Sequence, residues 1–507
     1  MQPNTLSRGE HPVSRSSISK NALTVLYRLQ EAGFASYLVG GGVRDLLLGK
    51  LPKDFDIATD ASPEQVKALF DNCRLIGRRF RLAHVIFGRD IIEVATFRAA
   101  HTEGAGGMVG DTGRIVRDNV FGGTLADDAI RRDLTINALY YNIADFSVVD
   151  FFGGIEDLGL KKIRFIGSAA ERITEDPVRS LRAVRFAAKL DFNLDSDVEQ
   201  AIFEHSSSLA DIPPARLFEE VLKLLQSGHG TDSFEQLRRH NLLQYLFPMT
   251  AARLQNKDEY LERLIGIALR NTDSRIQNDL PVTPAFIYAV MLWSDVVAAA
   301  ARHEEQGMPP VPAMFAAADE VVPGQLAATA LPRRFSMPMR EIWALQPRLY
   351  KTRGKRAMRL LGNPRFRAAY DFLCLRSEAG EELDSFCNAW EKMQELPEGQ
   401  ELLLSAKSRA RQSRTQRRSR NNSRSSYKKS AGCLRYCRIS HVLCGLCETR
   451  TFQRIAGVHF AESRLTKGKS PRERRQYAIH RYRRADRRWE NHTDESACRV
   501  AWGHSHT

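Results

Sequence analysis

Apolar positions recur at helical spacing over residues 18–33 (ISKNALTVLYRLQEAG), and Gly33 follows as a stop. The run Tyr37-Leu38-Val39 then reads as a buried strand entering a tight turn at Gly40-Gly41-Gly42, with a short helix over Val43 to Leu48. Phe55 and Ile57 alternate with Asp54, Asp56 and Ala58, which is strand spacing. Ser62-Pro63-Glu64-Gln65 carries the signs of a helix start: Ser as N-cap, Pro at the first helical position, and Gln three residues after the cap. That helix is predicted to run to about Phe70. Two strand-like runs follow, Phe80–Phe87 and Ile91–Phe97, joined by the turn Gly88-Arg89-Asp90. Together these segments predict a β-α-β-β head.

Beyond the head the pattern changes. Residues 99–116 are Gly-rich and unpatterned, as in a mobile loop, and residues 1–17 are polar, as in a disordered arm. Residues 125–142 read as helical, with a second helix start at Asp133-Leu134-Thr135; 148–152 and 162–166 read as short strands. From Pro177, placed at a helix N1 position, the chain is helical almost throughout. Further helices are predicted near 214–226, 233–245, 258–270, 283–300, 338–350, 354–361 and 364–378, without a repeat of fixed period. The predicted class is α+β, divided into a disordered N-terminus (1–17), head (18–160), neck (161–225), helical body (226–404) and basic tail (405–507).

Composition and charge refine this division. The chain has 507 residues, 43% hydrophobic and 27% charged, the balance of a water-soluble globular protein. No apolar run reaches membrane-spanning length and the N-terminus lacks the apolar core of a signal peptide, so the cytoplasm is the expected compartment. Eight cysteines are too few for a disulfide scaffold in a chain this long. The formal charge of +15 is uneven: residues 407–507 hold 26 Lys/Arg against 7 Asp/Glu, or +19, leaving −4 for the first 406. A basic tail favours polyanions such as RNA. Residues 407–429 have ten Lys/Arg and no acid, a disordered composition. Residues 430–507, rich in Arg, His, Trp and Cys without amphipathic period, read like a translated wrong frame, entered near residues 400–410, or an unrelated extension. Cys433, Cys437, His441, Cys444 and Cys447 have loose metal-ligand spacing, but no strand or helix pattern surrounds them to build a zinc site.

The candidate chemistry lies in the head. On a strand, Asp54 and Asp56 project from one face and can hold a pair of Mg²⁺ or Mn²⁺ ions for an in-line displacement at phosphorus. Amides of the Gly40–Gly42 turn, ahead of a helix, suit phosphate oxygens, and Arg44 adds charge. A Walker-type loop is excluded, since residue 44 is Arg where Gly is needed and residue 51 is Leu where Ser or Thr is needed. A dinucleotide fingerprint is excluded because its third glycine is missing. Glu93, within IIEVATFR, is a candidate third carboxylate, and Asp133 is another. Arg131 and Arg132 suit triphosphate oxygens. Asp176, Arg179, Arg182 and Arg185 recur every three or four residues, hence on one helix face, where they can read a base edge.

Four elements in order, LVGGGVRD…DFD, EVATFR, RRD-TINAL and EDPVRSLRAVRF, resemble the class II nucleotidyltransferases of the polymerase β superfamily, which include bacterial poly(A) polymerases and CCA-adding enzymes. The resemblance spans residues 18–400. The stretches CRLIGRRFRLAHVIFGRDIIEVATFR, DIPPARLFEEVLKLLQSGHG and GKRAMRLLGNPRFRAAYDFLCLR look like the bacterial poly(A) polymerases. It implies a polymerase β-like head and an RNA-guiding helical body. It implies template-independent transfer of AMP from ATP to RNA 3′ ends, with RNA-decay proteins as further partners. It also implies Asp54 and Asp56 as catalytic, metal-binding carboxylates, Asp133 among the active-site residues, Gly41, Gly42 and Arg44 at the triphosphate, and Asp176 and Arg179 at the base. The nearest alternative is a CCA-adding enzyme. A catalytically dead RNA-binding protein is a second, opposed by the intact Asp54 and Asp56.

Overall fold

A computed structural model describes residues 2–77, 81–99, 107–109, 115–118 and 121–405. In chain order its strands are β1 (Asn4–Leu6), β2 (Ser36–Val39), β3 (Asp56–Thr59), β4 (Cys73–Ile76), β5 (Leu82–Phe87), β6 (Asp90–Thr96), β7 (Gly107–Val109), β8 (Ile115–Asp118), β9 (Leu139–Asn142), β10 (Val148–Asp150), β11 (Lys162–Ile163) and β12 (Asn193–Leu194). Eight of them form the head sheet in the order β1-β10-β9-β2-β3-β6-β5-β4, antiparallel except for the parallel pair β3–β6. Both faces of its centre are buried. Leu38, Ile57, Tyr141 and Val148 join the main core, while Val39, Ala58, Tyr140 and Val149 form a smaller cluster on the opposite side. Alternation by one residue puts neighbouring side chains on opposite faces.

Helix α1 (Lys20–Glu31) is capped by Ser19, whose side chain accepts from the Ala22 amide, and buries Ala22, Val25, Leu26 and Leu29 in the main core. After it come α2 (Gly41–Leu47) and α3 (Pro63–Leu69). The latter starts with the predicted reciprocal cap: the Gln65 amide donates to the Ser62 side chain, and the Ser62 amide donates to the Gln65 side chain. The predicted β5–β6 turn also forms, with Gly88 at φ +64°.

Four expectations are corrected. The N-terminal arm is ordered: β1 lies in register against β10, Val13 is fully buried, and His11 Nε2 sits 2.9 Å from the Phe146 carbonyl oxygen. Edge pairing uses backbone groups, so a polar sequence does not reveal it. Residues 125–142 are not one helical stretch. Helix α4 (Leu125–Ile130) is followed by a 3₁₀ turn (Thr135–Asn137) and by β9, because an apolar run buried on both faces looks alike in a helix and a central strand. The Gly-rich segment 99–116 contributes the antiparallel pair β7–β8; the rest of it lies largely outside the described residues. Finally, β4 was not foreseen.

Next come α5 (Gly154–Gly159), α6 (Ala169–Glu175), α7 (Val178–Leu190), α8 (Ser196–His205), α9 (Pro214–Leu225) and α10 (Gly230–Arg239). Pro177 takes the N-cap of α7, one residue before its expected place. The later helices form near their predicted positions, though 233–245 divides into Gly230–Arg239 and Leu243–Leu246, and 283–300 into Pro284–Met291 and Trp293–Glu305. Helix Pro310–Ala328, with Pro323 inside it, and helix Asp384–Glu395 were not foreseen. The last body helices have their own apolar cluster around Leu349, Leu361, Phe366 and Trp390. No single helix among the described residues is long and apolar enough to cross a membrane. The basic tail and its Cys/His set lie outside the described residues.

Candidate active site

The site begins where β2 ends. Register sets Val39 opposite Asp56 on β3, and Asp56 opposite Glu93 on β6. One residue past Val39, Gly40 turns the chain at φ +75°, a conformation that L side chains avoid, and caps α2. The Arg44 amide donates to the Gly40 carbonyl. Amides 41–43 thus form the helix's first turn, where donors lack carbonyl partners within the helix. A methyl group at Gly42 would stand 3.5 Å from the Asp54 carbonyl oxygen. The glycine turn and the Asp54–Asp56 segment are therefore one place in the structure.

Asp54 lies just before β3, and Asp56 is its first residue. Both are solvent-accessible. Even so, surrounding protein desolvates the Asp56 carboxyl, and the negative charges of Glu93 and Asp54 add to that. Against the opposing pull of Arg132, they push its pKa up to about 6. Glu93 lies 3.2 Å from His84 Nε2. Among the described residues no group of three or more His, Cys, Asp or Glu is arranged to hold a metal. Mg²⁺ is commonly bound through one or two carboxylates plus substrate phosphates. Asp54 and Asp56 offer oxygen donors only, which fits such an ion.

Asp56 and Glu93 line an open cleft of about 310 Å³ together with Arg81, Arg98, Asp128 and Arg132. Its floor was not foreseen from the sequence. Asp128 is 1% exposed, and its carboxylate accepts from Arg98 Nε (3.1 Å), Arg132 Nε (3.1 Å) and the Tyr140 hydroxyl (2.8 Å). Burial opposes its ionisation, yet Arg132 and Arg98 hold its pKa down at about 2. The signal was present as Asp127-Asp128 four residues before the paired arginines, but such acids usually just cap a helix, as Asp127 does here. Arg132 also stacks over the Tyr140 ring at 5.1 Å, and its Nη1 would lie 3.5 Å from a methyl group placed on Gly40. It thus spans from the cleft floor to the glycine turn. Arg131 points elsewhere, with Nη1 3.5 Å from the Ala99 carbonyl oxygen.

Other expected site residues are placed differently. Arg44 is 2% exposed and donates to Asp45 (2.6 and 2.8 Å) and to Asn137 Oδ1 (2.7 Å), with its guanidinium over Phe186. It braces the glycine turn from beneath. Asp133 accepts from Arg182 Nε on α7 (2.5 Å) and from the Leu134 amide (2.9 Å). Burial opposes its charge, but Arg182 holds its pKa far below the usual carboxylate range. It joins head to neck. Asp176 accepts from Arg216 Nη2 on α9 (2.6 Å), and Arg179 Nη1 donates to Glu175 (2.5 Å) and to the Arg172 carbonyl (2.9 Å). Arg185 packs its guanidinium against Phe186, and its buried Nε has no partner among the described residues. The predicted arginine face exists, as a seam of ion pairs among α6, α7, α9 and the head.

Comparison with known proteins then fits this architecture. A family profile described as "Poly A polymerase head domain" matches residues 36–164, "Probable RNA and SrmB- binding site of polymerase A" matches 191–254, and "Polymerase A arginine-rich C-terminus" matches 306–425. Poly(A) polymerase I of Salmonella typhimurium is 49% identical over 77% of this chain and 85% of its own length; that of Haemophilus influenzae is 45% identical over 77% and 88%. The chain belongs to the bacterial poly(A) polymerase I family. A CCA-adding enzyme of Leuconostoc mesenteroides is 39% identical over 45% of the chain and 54% of its own length. The solved apo form II of a CCA-adding enzyme shares the fold, with a TM-score of 0.54 over 78% of this chain and 88% of its own, at 24% identity. The arginine-rich match runs to residue 425 and so includes the first part of the basic stretch past 405.

Proposed function

We propose that the cleft between the glycine turn and Asp54–Asp56 binds ATP with Mg²⁺ or Mn²⁺ and is where this polynucleotide adenylyltransferase extends RNA 3′ ends. The bond formed joins the RNA 3′-oxygen to the α-phosphorus of ATP; the α–β phosphoanhydride bond breaks, and pyrophosphate leaves. Asp54 and Asp56 would hold the ions, with Glu93 the nearest further carboxylate. Bound there, the ions would supply charge stabilisation for the displacement at phosphorus. Amides 41–43 and Arg132 receive the triphosphate, while Arg44 keeps the turn in shape. Arg216 and Glu175 fix the orientation of Asp176 and Arg179 toward the base edge. Asp133 and Arg182 hold the head and that reading face in register.

The observation that carries this reading is the single location of the glycine turn, the two aspartates and Arg132. Residues 191–254 are the segment on which to map RNA and any protein partner in RNA decay, and the cytoplasm is the compartment in which we place the reaction. The test offers the purified chain a generic 3′-hydroxyl RNA or a tRNA lacking its terminus, with ATP or CTP. Long adenylate tails on generic RNA are expected. A stop after CCA on tRNA alone would replace the reading with tRNA end repair, and no incorporation with either metal would leave an RNA-binding protein.

A further inference from the structure

Between Glu341 and Asp371 the chain carries eight Lys/Arg and no acid. Arg365 and Arg367 pair with those bounding acids, at 2.6 and 2.8 Å. The other six, Arg348, Lys351, Arg353, Lys355, Arg356 and Arg359, are exposed, and their side chains have no ion-pair or hydrogen-bond partner among the described residues. They occupy the corner where helix Arg333–Leu349 meets helix Gly354–Leu361. That corner is anchored: Leu349, Ala357 and Leu361 are buried in the body's second core. Charge this concentrated stands out on a body whose sum, tail excluded, is negative.

We propose that this corner is a phosphate track that holds the single-stranded RNA upstream of its reacting 3′ end. Four of the six cations are arginines, whose planar forks match phosphate oxygens in pairs. Tyr350 lies among them, 39% exposed, with its ring against Phe386 and its hydroxyl accepting from Arg376 at 2.8 Å. A partly exposed ring held in place by Phe386 and by Arg376, 5.9 Å from its centroid, can serve as a stacking platform for a base. A membrane surface would call for an apolar helix face turned outward, whereas the apolar residues of helix Gly354–Leu361 turn inward. The corner also falls within the arginine-rich family segment 306–425.

The proposal rests on RNA being the substrate, but binding alone can test it. In the full chain, Arg353, Lys355, Arg356 and Arg359 are changed together to Ala, and in a second variant the three arginines are changed to Lys. The probe is an unstructured RNA of about 30 nucleotides, titrated at several salt concentrations without ATP. Four lost phosphate contacts should reduce the slope of log K against log salt by about 3 and weaken binding at least about tenfold near 0.1 M salt. The KM for RNA rises, while the KM for ATP and the melting temperature stay unchanged. The Lys variant keeps the wild-type slope. An unchanged slope and affinity in the Ala variant would overturn the proposal, as would equal losses in the Lys variant, or lost binding of an acidic protein without lost binding of RNA. Failure of the wild-type chain to extend RNA would instead remove the catalytic reading and leave the binding result standing.

Discussion

Asp56 shows how the site's chemistry opposes the fold's stability. Its native pKa of about 6 stands above the roughly 4 of an unfolded aspartate, so the native state binds this proton more tightly. Its contribution to stability is therefore fully present below about pH 4 and is lost as pH rises through 6. In metal-free buffer, Asp56→Asn is expected to melt above wild type at pH 8 and together with it below pH 4, while losing AMP transfer. A lower melting temperature at pH 8 would show that the charge is already compensated. Asp133 has the opposite sign: its depressed pKa adds stability above about pH 4 that is lost on acidification. Arg182 is 35% exposed, so Asp133→Asn should cost on the order of 2 kcal/mol in urea unfolding, less than the roughly 3–5 of a fully buried pair. It should also blunt the choice of ATP over CTP. An unfolding midpoint equal to wild type would leave the head–neck clamp without energetic content.

At the scale of elements, two glycines make the site possible in different ways. Gly40 supplies the φ of +75° at which β2 becomes α2. Gly40→Ala is expected to lose about 1–2 kcal/mol from left-handed strain and to raise the KM for ATP. Gly154 opens α5 against the backbone of the 3₁₀ turn, where a methyl group would come within 2.3 Å of the Thr135 carbonyl oxygen. Gly154→Ala therefore forces backbone apart and should lower the melting temperature more than Gly40→Ala does. The reverse ranking would mean that the α5 junction yields. These elements differ in how plainly the sequence announces them. The Ser62–Gln65 cap and the Gly88 turn are local chemistry and were readable in place. Strand β9 resembles a helix in sequence because Tyr140 and Tyr141 are buried on opposite faces, and β1 carries no local signal because its partner β10 lies far along the chain.

For the whole molecule the same division holds. Asp54, Asp56 and the glycine run were legible because all three lie in one short stretch whose residue types carry the chemistry. The cleft floor was not. Asp128, Arg98 and Tyr140 come from α4, the end of β6 and β9, and only the folded sheet brings them under Arg132. The arginine face of α7 was visible in its spacing, but its partners Asp133, Glu175 and Arg216 were not, so a surface expected to be open is a seam of ion pairs. In the reading proposed above, RNA is held by cations away from the head, whereas catalysis depends on two carboxylates. Separating the two tests the central claim most directly: adenylate incorporation and RNA affinity measured side by side for Asp54→Ala and Asp56→Ala with Mg²⁺ and with Mn²⁺. The account expects no incorporation by either variant with RNA affinity within about twofold of wild type, since no phosphate-binding cation is removed; wild-type incorporation rates in both variants would contradict it.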